Sequence, residues 1–396
     1  MDQMGGSGPF LAAATGGPAV RGDVPSKVDP YPAAAASETT HSMSGGLIGR
    51  LARLNISLAF TSYQSGLLYL LGSTAAHGAQ LNQSTFAKPM GLWVDGAGTL
   101  TLAAGASIVR FRDVLQPHER INDVFDACYM PRVQHLIGNL DAHDIGVDAD
   151  GRVIFVNTRF NCLATLSQTH SFEPVWRPPF VSALVDEDRC HLNGLAMDGG
   201  APAYVTAVSR SDTIDGWRDR RMGGGVVIDV ARNEIVCEGL SMPHSPRMHG
   251  GELWVLNSGT GELGVVARRG GGRGVFEPRV FCPGFVRGLA FHGHLAFVGL
   301  SKPRYKRFEG LPLDQRLKDA DSEPWCGVQV IDLAKGACVD WFRIDGPVGE
   351  FYDVAVIPGK RCPMAISPRG PEAEALVTFP AASPDSPSTL SATLDR

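Results

Sequence analysis

Apolar and polar residues alternate in short runs along most of this chain, and a turn that contains glycine usually separates one run from the next. Alternation with a period of two predicts β-strands that are buried on one face. The clearest runs are GTLTLAAG, GRVIFVNT, APAYVTAVS, GELWVLNS and GHLAFVGLS. This pattern predicts an all-β protein, because glycine and proline interrupt the chain too often for a helical bundle.

A short pattern precedes these runs and recurs along the chain. It consists of a polar or bulky residue, a small or acidic residue, and then two or three apolar residues. The first positions of its copies, which we call the ring residues, are Met90, His143, Asn193, His244, Arg287 and Tyr352. They are 53, 50, 51, 43 and 65 residues apart. Four short antiparallel strands in each unit of about 40–50 residues are typical of a propeller blade.

Six copies of the pattern predict a six-bladed β-propeller. The last copy begins at Tyr352, where too little chain follows to complete a blade, whereas residues 57–72 contain strands that precede the first copy. We therefore expect N-terminal strands to pair with a C-terminal strand and close the ring, which removes an exposed sheet edge. A β-sandwich or two separate β-domains remain the alternatives.

Composition sets the limits of the predicted domain. Residues 1–45 and 367–396 are rich in small residues and proline and have no periodicity, so we expect disordered tails on one propeller domain at 46–366. A net charge of −5 and the absence of a long apolar run favour neither nucleic acid nor a membrane as a partner. No signal peptide is evident, and the eight cysteines have no metal-ligand spacing, so we expect free thiols and a cytoplasmic location.

Several long motifs resemble a bacterial family known only as conserved hypothetical proteins. These motifs are LDAHDIG, NTRFNCLATL, DRCHLNGLA, MPHSPR, LWVLNSGTGELG, PGFVRGLAF and VGLSKPR. The resemblance covers roughly residues 50–365. It implies a propeller-like β fold and brings no established activity with it.

Ring geometry brings distant residues together, because the innermost strand of every propeller blade starts beside the central channel. We therefore expect the ring residues to meet at one mouth of this channel. Among them, His143 and His244 are candidate acid/base residues, and the adjacent Asp144 and Asp353 are candidate catalytic partners. The expected substrate-binding residues come from the ring and from the ends of second strands: Tyr63, Arg159, Asn193, Arg210, Asn257, Arg287, Lys302 and Tyr352.

These residues predict an enzyme that acts on a small anionic molecule, since arginine suits carboxylate, phosphate or sulfate. The reaction class stays open at this point. His143 and His244 are also candidate ligands of a divalent metal, although the chain has no HxH or HExxH motif. His191, two residues before Asn193, is either a supporting partner of the site or an ordinary loop residue.

Two other functions fit the same fold. One is a non-catalytic propeller that binds a protein or peptide partner, and the other, by fold analogy alone, is a redox quinoprotein. The long loops at 209–223 and 302–326 carry aromatic and charged residues and are candidate lids for the channel mouth.

Overall fold

A computed structural model describes residues 39–379 except Ala97, 268–272 and 304–309. Six β-sheets, five of them wholly antiparallel, surround a central channel, and the innermost strands of consecutive blades contact one another around the full circle. The predicted six-bladed propeller is therefore confirmed.

The chain supplies three strands of its last blade before the first blade starts. Its first elements are β1 (Thr40–Met43), α1 (Leu47–Leu54), β2 (Ile56–Ser62), β3 (Leu67–Thr74) and β4 (Gly78–Thr85). Blade one follows as β5 (Pro89–Val94), β6 (Thr99–Ala104), β7 (Ser107–Asp113) and β8 (Ala127–Leu136).

Blades two to four each contain four consecutive strands. Blade two is β9 (Ala142–Val147), β10 (Val153–Asn157), β11 (Cys162–Thr165) and β12 (Glu173–Trp176). Blade three is β13 (Leu192–Asp198), β14 (Ala201–Ala207), β15 (Gly225–Asp229) and β16 (Glu234–Leu240). Blade four is β17 (Pro243–His249), β18 (Glu252–Asn257), β19 (Glu262–Ala267) and β20 (Val275–Phe281).

Blade five contains an inserted helix, and the chain then closes the ring. Its elements are β21 (Phe285–His292), β22 (Leu295–Ser301), α2 (Pro312–Asp319), β23 (Cys326–Asp332) and β24 (Ala337–Asp345). The last elements are β25 (Val354–Pro358), β26 (Pro363–Ala365) and α3 (Pro371–Ala375). None of the helices in the described part of the chain is both long and apolar enough to cross a membrane.

Blade six joins the two ends of the chain, as the sequence predicts. Its innermost strand is β25, which pairs antiparallel with β2, so that Ile56 lies opposite Pro358 and Phe60 opposite Val354. Two further strands reach beyond this blade. Strand β1 extends blade five along β24, and β26 adds to blade one parallel to β8.

The hydrophobic core fills the spaces between neighbouring blades. Between blades five and six, Phe60 packs against Phe342 and Phe351, with ring centroids 5.3 and 4.7 Å apart. Leu47 and Leu51 of α1 are fully buried in the same cluster. Strands β2 and β22 are buried along their whole length, because each blade face packs against another blade.

Two described elements lie in segments that the sequence assigns to the tails. Strand β1 precedes residue 46, and α3 follows residue 366. The remaining parts of the predicted tails, at 1–38 and 380–396, lie outside the described residues.

Candidate functional site

Five of the ring residues meet at the channel. The rings of His143 and Tyr352 are 5.6 Å apart, the Nδ2 atom of Asn193 lies 3.3 Å from Nε2 of His244, and the Arg287 guanidinium lies 5.4 Å from the Tyr352 ring centroid. All five side chains are buried. The repeat brings them together because each begins, or closely precedes, the innermost strand of a blade.

His143 is held by a backbone carbonyl and a hydroxyl group. Its Nδ1 lies 2.8 Å from the Asp141 carbonyl oxygen and 2.8 Å from Oγ1 of Thr158. The Thr158 hydroxyl donates to the carbonyl of Leu192, at 2.6 Å, in the next blade. Because a carbonyl oxygen only accepts, we assign the ring proton to Nδ1, which leaves the Nε2 lone pair on the opposite edge of the ring.

His244, two blades further on, is held in the same way. Its Nδ1 lies 2.8 Å from the Met242 carbonyl oxygen and 3.0 Å from Oγ of Ser258. The Ser258 hydroxyl donates to the carbonyl of Val286, at 2.6 Å, again in the next blade. Each histidine therefore contacts a carbonyl two residues earlier and a hydroxyl that ties one blade to the next, and each has the same tautomer.

Both histidines are neutral near pH 7. Burial lowers the pKa of His143 to about 3 and, together with the charge of Arg287, holds the pKa of His244 well below its usual value. The Thr206 hydroxyl donates to Oδ1 of Asn193 at 2.8 Å, so the Asn193 amide group turns its N–H donors toward His244. The Nε2 atoms of both rings are consequently hydrogen-bond acceptors.

Arg287 and Tyr352 bring a positive charge and a hydroxyl donor to the same place. The Arg287 guanidinium lies over the rings of Phe285 and Tyr352, 4.8 and 5.4 Å from their centroids, which are cation–π distances. Burial raises the pKa of Tyr352 well above its usual value, so its hydroxyl stays protonated. Within the described residues this hydroxyl is buried and has no hydrogen-bond partner. The Tyr63 ring contacts Tyr352 edge-on, with centroids 5.5 Å apart.

His191 completes the group, although the sequence left its role open. Its ring contacts His143 edge-on at 4.9 Å and stacks on Trp217 at 4.1 Å. Its Nδ1 lies 2.6 Å from Oδ2 of Asp188, and its backbone N–H donates to Oδ1 of the same carboxylate. We refer to His143, His191, His244, Arg287 and Tyr352 together as the channel pocket.

A buried ion cluster lies one position further along the inner strands. Arg247 forms a bidentate pair with Asp144, at 2.8 and 3.1 Å, and lies 3.7 Å from Asp353. Asp144 also accepts the backbone N–H of Leu195, and Asp353 accepts that of Leu92, so each carboxylate binds the backbone of a neighbouring blade. Burial raises the pKa of Asp353 to about 7. The two carboxylates predicted as catalytic are thus bound to backbone amides and to Arg247.

The sequence pattern did not identify Arg247, because it examines the first two positions of each copy and Arg247 is the fourth position of the copy that begins at His244. The inner strand shifts register between His244 and Arg247, and Ser245 has a φ of 47°. Similar shifts surround Asn193 and Arg287, so a bulge near the channel is shared by several inner strands.

The remaining predicted binding residues have other partners or positions. The Arg159 guanidinium pairs with Asp186, and the Asn257 amide oxygen accepts the backbone N–H of Ser241 at 2.7 Å. Lys302 is half-buried at the end of β22, and Arg210 is exposed. Arg210 lines a separate groove of about 1000 Å³, whose lining residues include none of the channel pocket. Of the predicted cations, Arg287 belongs to the channel pocket.

Both candidate lid loops contribute to an apolar cluster beside the pocket. Trp217 from the first loop and Leu313 and Leu317 from the second pack with Met242 and Phe285. The first loop contacts His191 through Trp217, and the second packs on Phe285, whose ring lies beneath the Arg287 guanidinium. Residues 304–309 of the second loop lie outside the described part of the chain.

A metal centre finds little support in these side chains. Across the described residues, no three His, Cys, Asp or Glu side chains are grouped so that they could hold a metal ion. His143 and His244, the predicted ligands, therefore have no third protein ligand there. Asn193 also donates an N–H group toward His244, where a metal would need a lone pair.

Solved structures with related shapes are propellers of distant sequence. A chain in a nidogen/laminin complex is 12% identical over 77% of this chain and 99% of its own, with a TM-score of 0.46. A gluconolactonase from Xanthomonas campestris is 14% identical over 74% and 86%, with a TM-score of 0.42. A virginiamycin B lyase from Staphylococcus aureus is 13% identical over 62% and 73%, with a TM-score of 0.39. At these values the likeness carries no argument about function.

Sequence comparison gives a more definite result. No curated protein sequence matches the chain. Residues 46–366, however, match a defined domain family over most of the chain length. The protein therefore belongs to the DUF4915 family, a domain of unknown function, and its fold is that of a six-bladed β-propeller.

Proposed function

We propose that this protein is an enzyme that binds a small anionic molecule in the channel pocket and acts on it by proton transfer. The observation that carries this proposal is the shared arrangement of His143 and His244 beside Arg287. Two neutral imidazoles have the same tautomer in the same type of hydrogen-bonded setting. Each packs on an aromatic ring that the Arg287 guanidinium covers, His143 on Tyr352 and His244 on Phe285.

The charge of Arg287 supports an anionic ligand. The guanidinium lies over the rings of Phe285 and Tyr352, which in turn contact the rings of His244 and His143. An anion bound there interacts with this charge across a site with little water, where charge pairs are stronger than at the surface.

The polar groups complement one another as acid and base. The protonated Tyr352 hydroxyl is a donor and Nε2 of His143 is an acceptor, while Nε2 of His244 accepts from the Asn193 amide. A buried donor without a partner in the described structure is costly, and a ligand oxygen would satisfy it. Preorganised donors and acceptors around a bound anion are what general acid–base catalysis requires.

Anion binding is the first test. Acetate, succinate, inorganic phosphate and sulfate are titrated at constant ionic strength, and binding is followed by calorimetry and by the shift in melting temperature. We expect at least one of them to bind the wild-type protein, and Arg287→Met to weaken that binding by roughly 100-fold, about 2.7 kcal/mol.

The matched control is Arg232→Met. Arg232 is exposed and pairs with Asp229 on blade three, so this variant removes one arginine charge far from the channel pocket. Its binding should stay within about threefold of the wild type. Unchanged binding in a natively melting Arg287→Met variant, or no binding by any of the four anions, would contradict the proposal.

A further inference from the structure

We infer that His191, oriented by Asp188, is the residue of the channel pocket that accepts the substrate proton. This inference rests on the proposed function and assigns the chemical step within it. The arrangement is a carboxylate–imidazole dyad whose ring contacts His143 in the pocket.

The side chain and the backbone of His191 are both bound to Asp188. The Asp188 carboxylate accepts from Nδ1 through one oxygen, at 2.6 Å, and from the backbone N–H of His191 through the other, at 3.0 Å. The His191 backbone has a φ of 51°, in the left-handed region that non-glycine residues seldom adopt. Such strain is kept where the surrounding contacts determine it, and it is concentrated at functional sites.

The candidate lid loop supports both partners of the dyad. Trp217 stacks on the His191 ring, with an interplanar angle of 27°. The backbone N–H of Asp215 donates to the Asp188 carbonyl at 3.0 Å. The loop at 209–223 therefore holds the imidazole and its carboxylate in one unit.

His191 is better suited to receive a proton than the two other histidines. Burial lowers the pKa of both His143 and His244, and for His244 the charge of Arg287 adds to this effect, so a proton on either ring is disfavoured. The His191 side chain is 16% exposed and has a carboxylate partner that stabilises an imidazolium. Because this side chain is partly exposed, the accepted proton can pass to solvent.

The proposed step is balanced within the pocket. The substrate X–H bond breaks, its electron pair stays on the substrate, and the proton forms an N–H bond with Nε2 of His191. The imidazolium is then paired with Asp188, and the negative charge on the substrate faces Arg287 and the Tyr352 hydroxyl.

Diethyl pyrocarbonate tests the dyad without a known substrate. A neutral imidazole nitrogen attacks one carbonyl carbon of this reagent and expels ethyl carbonate, so the rate reports the lone pair on Nε2. In Asp188→Asn the new amide presents N–H groups to Nδ1, which favours the tautomer with the proton on Nε2. We expect modification of His191, followed by peptide mass spectrometry, to slow roughly tenfold.

Two controls separate this effect from a general change in the loop. Asp186 lies two residues before Asp188, and its carboxylate pairs with Arg159 instead of a histidine. Asp186→Asn should therefore leave the rate of His191 modification unchanged. The exposed His170 is the internal reference within every sample. An equal His191 rate in Asp188→Asn and wild type would overturn the dyad.

Protection by the anion that binds in the titration distinguishes the dyad from the proposed function. An anion concentration that saturates the wild type should slow His191 modification roughly fivefold in the wild type. The same concentration should have no effect on the rate in Arg287→Met. If an anion binds in an Arg287-dependent way but does not protect His191, the proposed function stands and the assignment of His191 as the proton acceptor is refuted. If no anion binds, the proposed function is refuted whatever the Asp188→Asn rate shows. If an anion protects His191 but Asp188→Asn does not slow the reaction, the anion site stands and the dyad is refuted.

Discussion

Replacing Arg247 with methionine should expose the cost of the buried carboxylates around the channel. The guanidinium binds Asp144 through two nitrogens and also donates to the Leu195 carbonyl, while Asp353 lies 3.7 Å away. Methionine fills a similar volume but leaves both acidic groups without their positive partner. Breaking a buried ion pair from one side costs about 3–5 kcal/mol, because an uncompensated charge remains.

The expected change in melting temperature follows from the size of the domain. The unfolding entropy is about 2.1 cal/mol/K per residue, or about 0.7 kcal/mol/K for a domain of about 320 residues. A loss of about 4 kcal/mol then lowers the melting temperature by about 6 °C at pH 8.

The loss should depend on pH in a defined direction. Burial raises the pKa of Asp353 to about 7 in the folded protein, above its unfolded value of about 3.9. The folded state therefore binds more protons, and the stability from this group is complete below about pH 4 and is lost as pH rises through about 7. The charge of Arg247 lowers the pKa of Asp353, so removal of Arg247 should raise that pKa further and extend to higher pH the range over which the stability is lost. At pH 5, where Asp353 is protonated, the variant should lose about half as much.

Calorimetric melts of the wild type and variant at pH 5, 6, 7 and 8 test this reasoning. Arg343→Met is the matched control, since Arg343 pairs with Asp345 and the two side chains are 43% and 38% exposed, so its loss should cost less than about 1 kcal/mol at every pH. An equal loss at pH 5 and pH 8, or no loss at pH 8, would refute the account of the ion cluster.

Three further predictions concern the stability of the propeller and the burial of its side chains. Thr158→Val removes the hydroxyl that donates to Leu192 in the next blade and should lower stability by about 1–2 kcal/mol, measured by chemical denaturation. Gly288→Ala should lower stability by about 3 kcal/mol or more, because the φ of Gly288 is 76° and an alanine Cβ there would lie 2.5 Å from the backbone nitrogen of Val354. Gly250 has a φ of 61° and open space around it, so Gly250→Ala should cost only about 1 kcal/mol in the same denaturation experiments. A thiol reagent at pH 8 should label Cys338 rapidly and the seven other cysteines only after unfolding, because those seven are buried.

The spacing of the repeat locates in the sequence the ring residues that the structure brings together at the channel. His143 and His244 occupy the same place in two blades, because each follows a turn and begins an inner strand with the same pattern. Asn193 and Arg287 are found by the same spacing. Apolar periodicity locates these strands, and the closed ring then determines which ends meet.

The sequence predicts poorly the residues that lie outside the first two positions of the repeat. Arg247 is the fourth position of its copy, and His191 lies in a loop before β13 with left-handed backbone geometry. Arg210 follows a strand end, as Arg159 does, but the pattern carries no information on the direction of an exposed side chain. The spacing of Asp188 and His191 is the signal that, in retrospect, marks the dyad.

The way the ring closes has a consequence for how the protein is made. Strand β25 and its partner β2 are separated by about 300 residues of chain. The pairs of β1 with β24 and of β26 with β8 also join distant parts of the sequence. During synthesis, blades one to five can form in turn, but β2, β3 and β4 must wait for nearly the whole chain. Completion of the channel pocket also waits, because Tyr352 leaves the ribosome just before β25. A chain that stops before residue 352 therefore carries His143, His191 and His244 and still has no site, so that premature termination gives an open protein with exposed sheet edges rather than a partly active one.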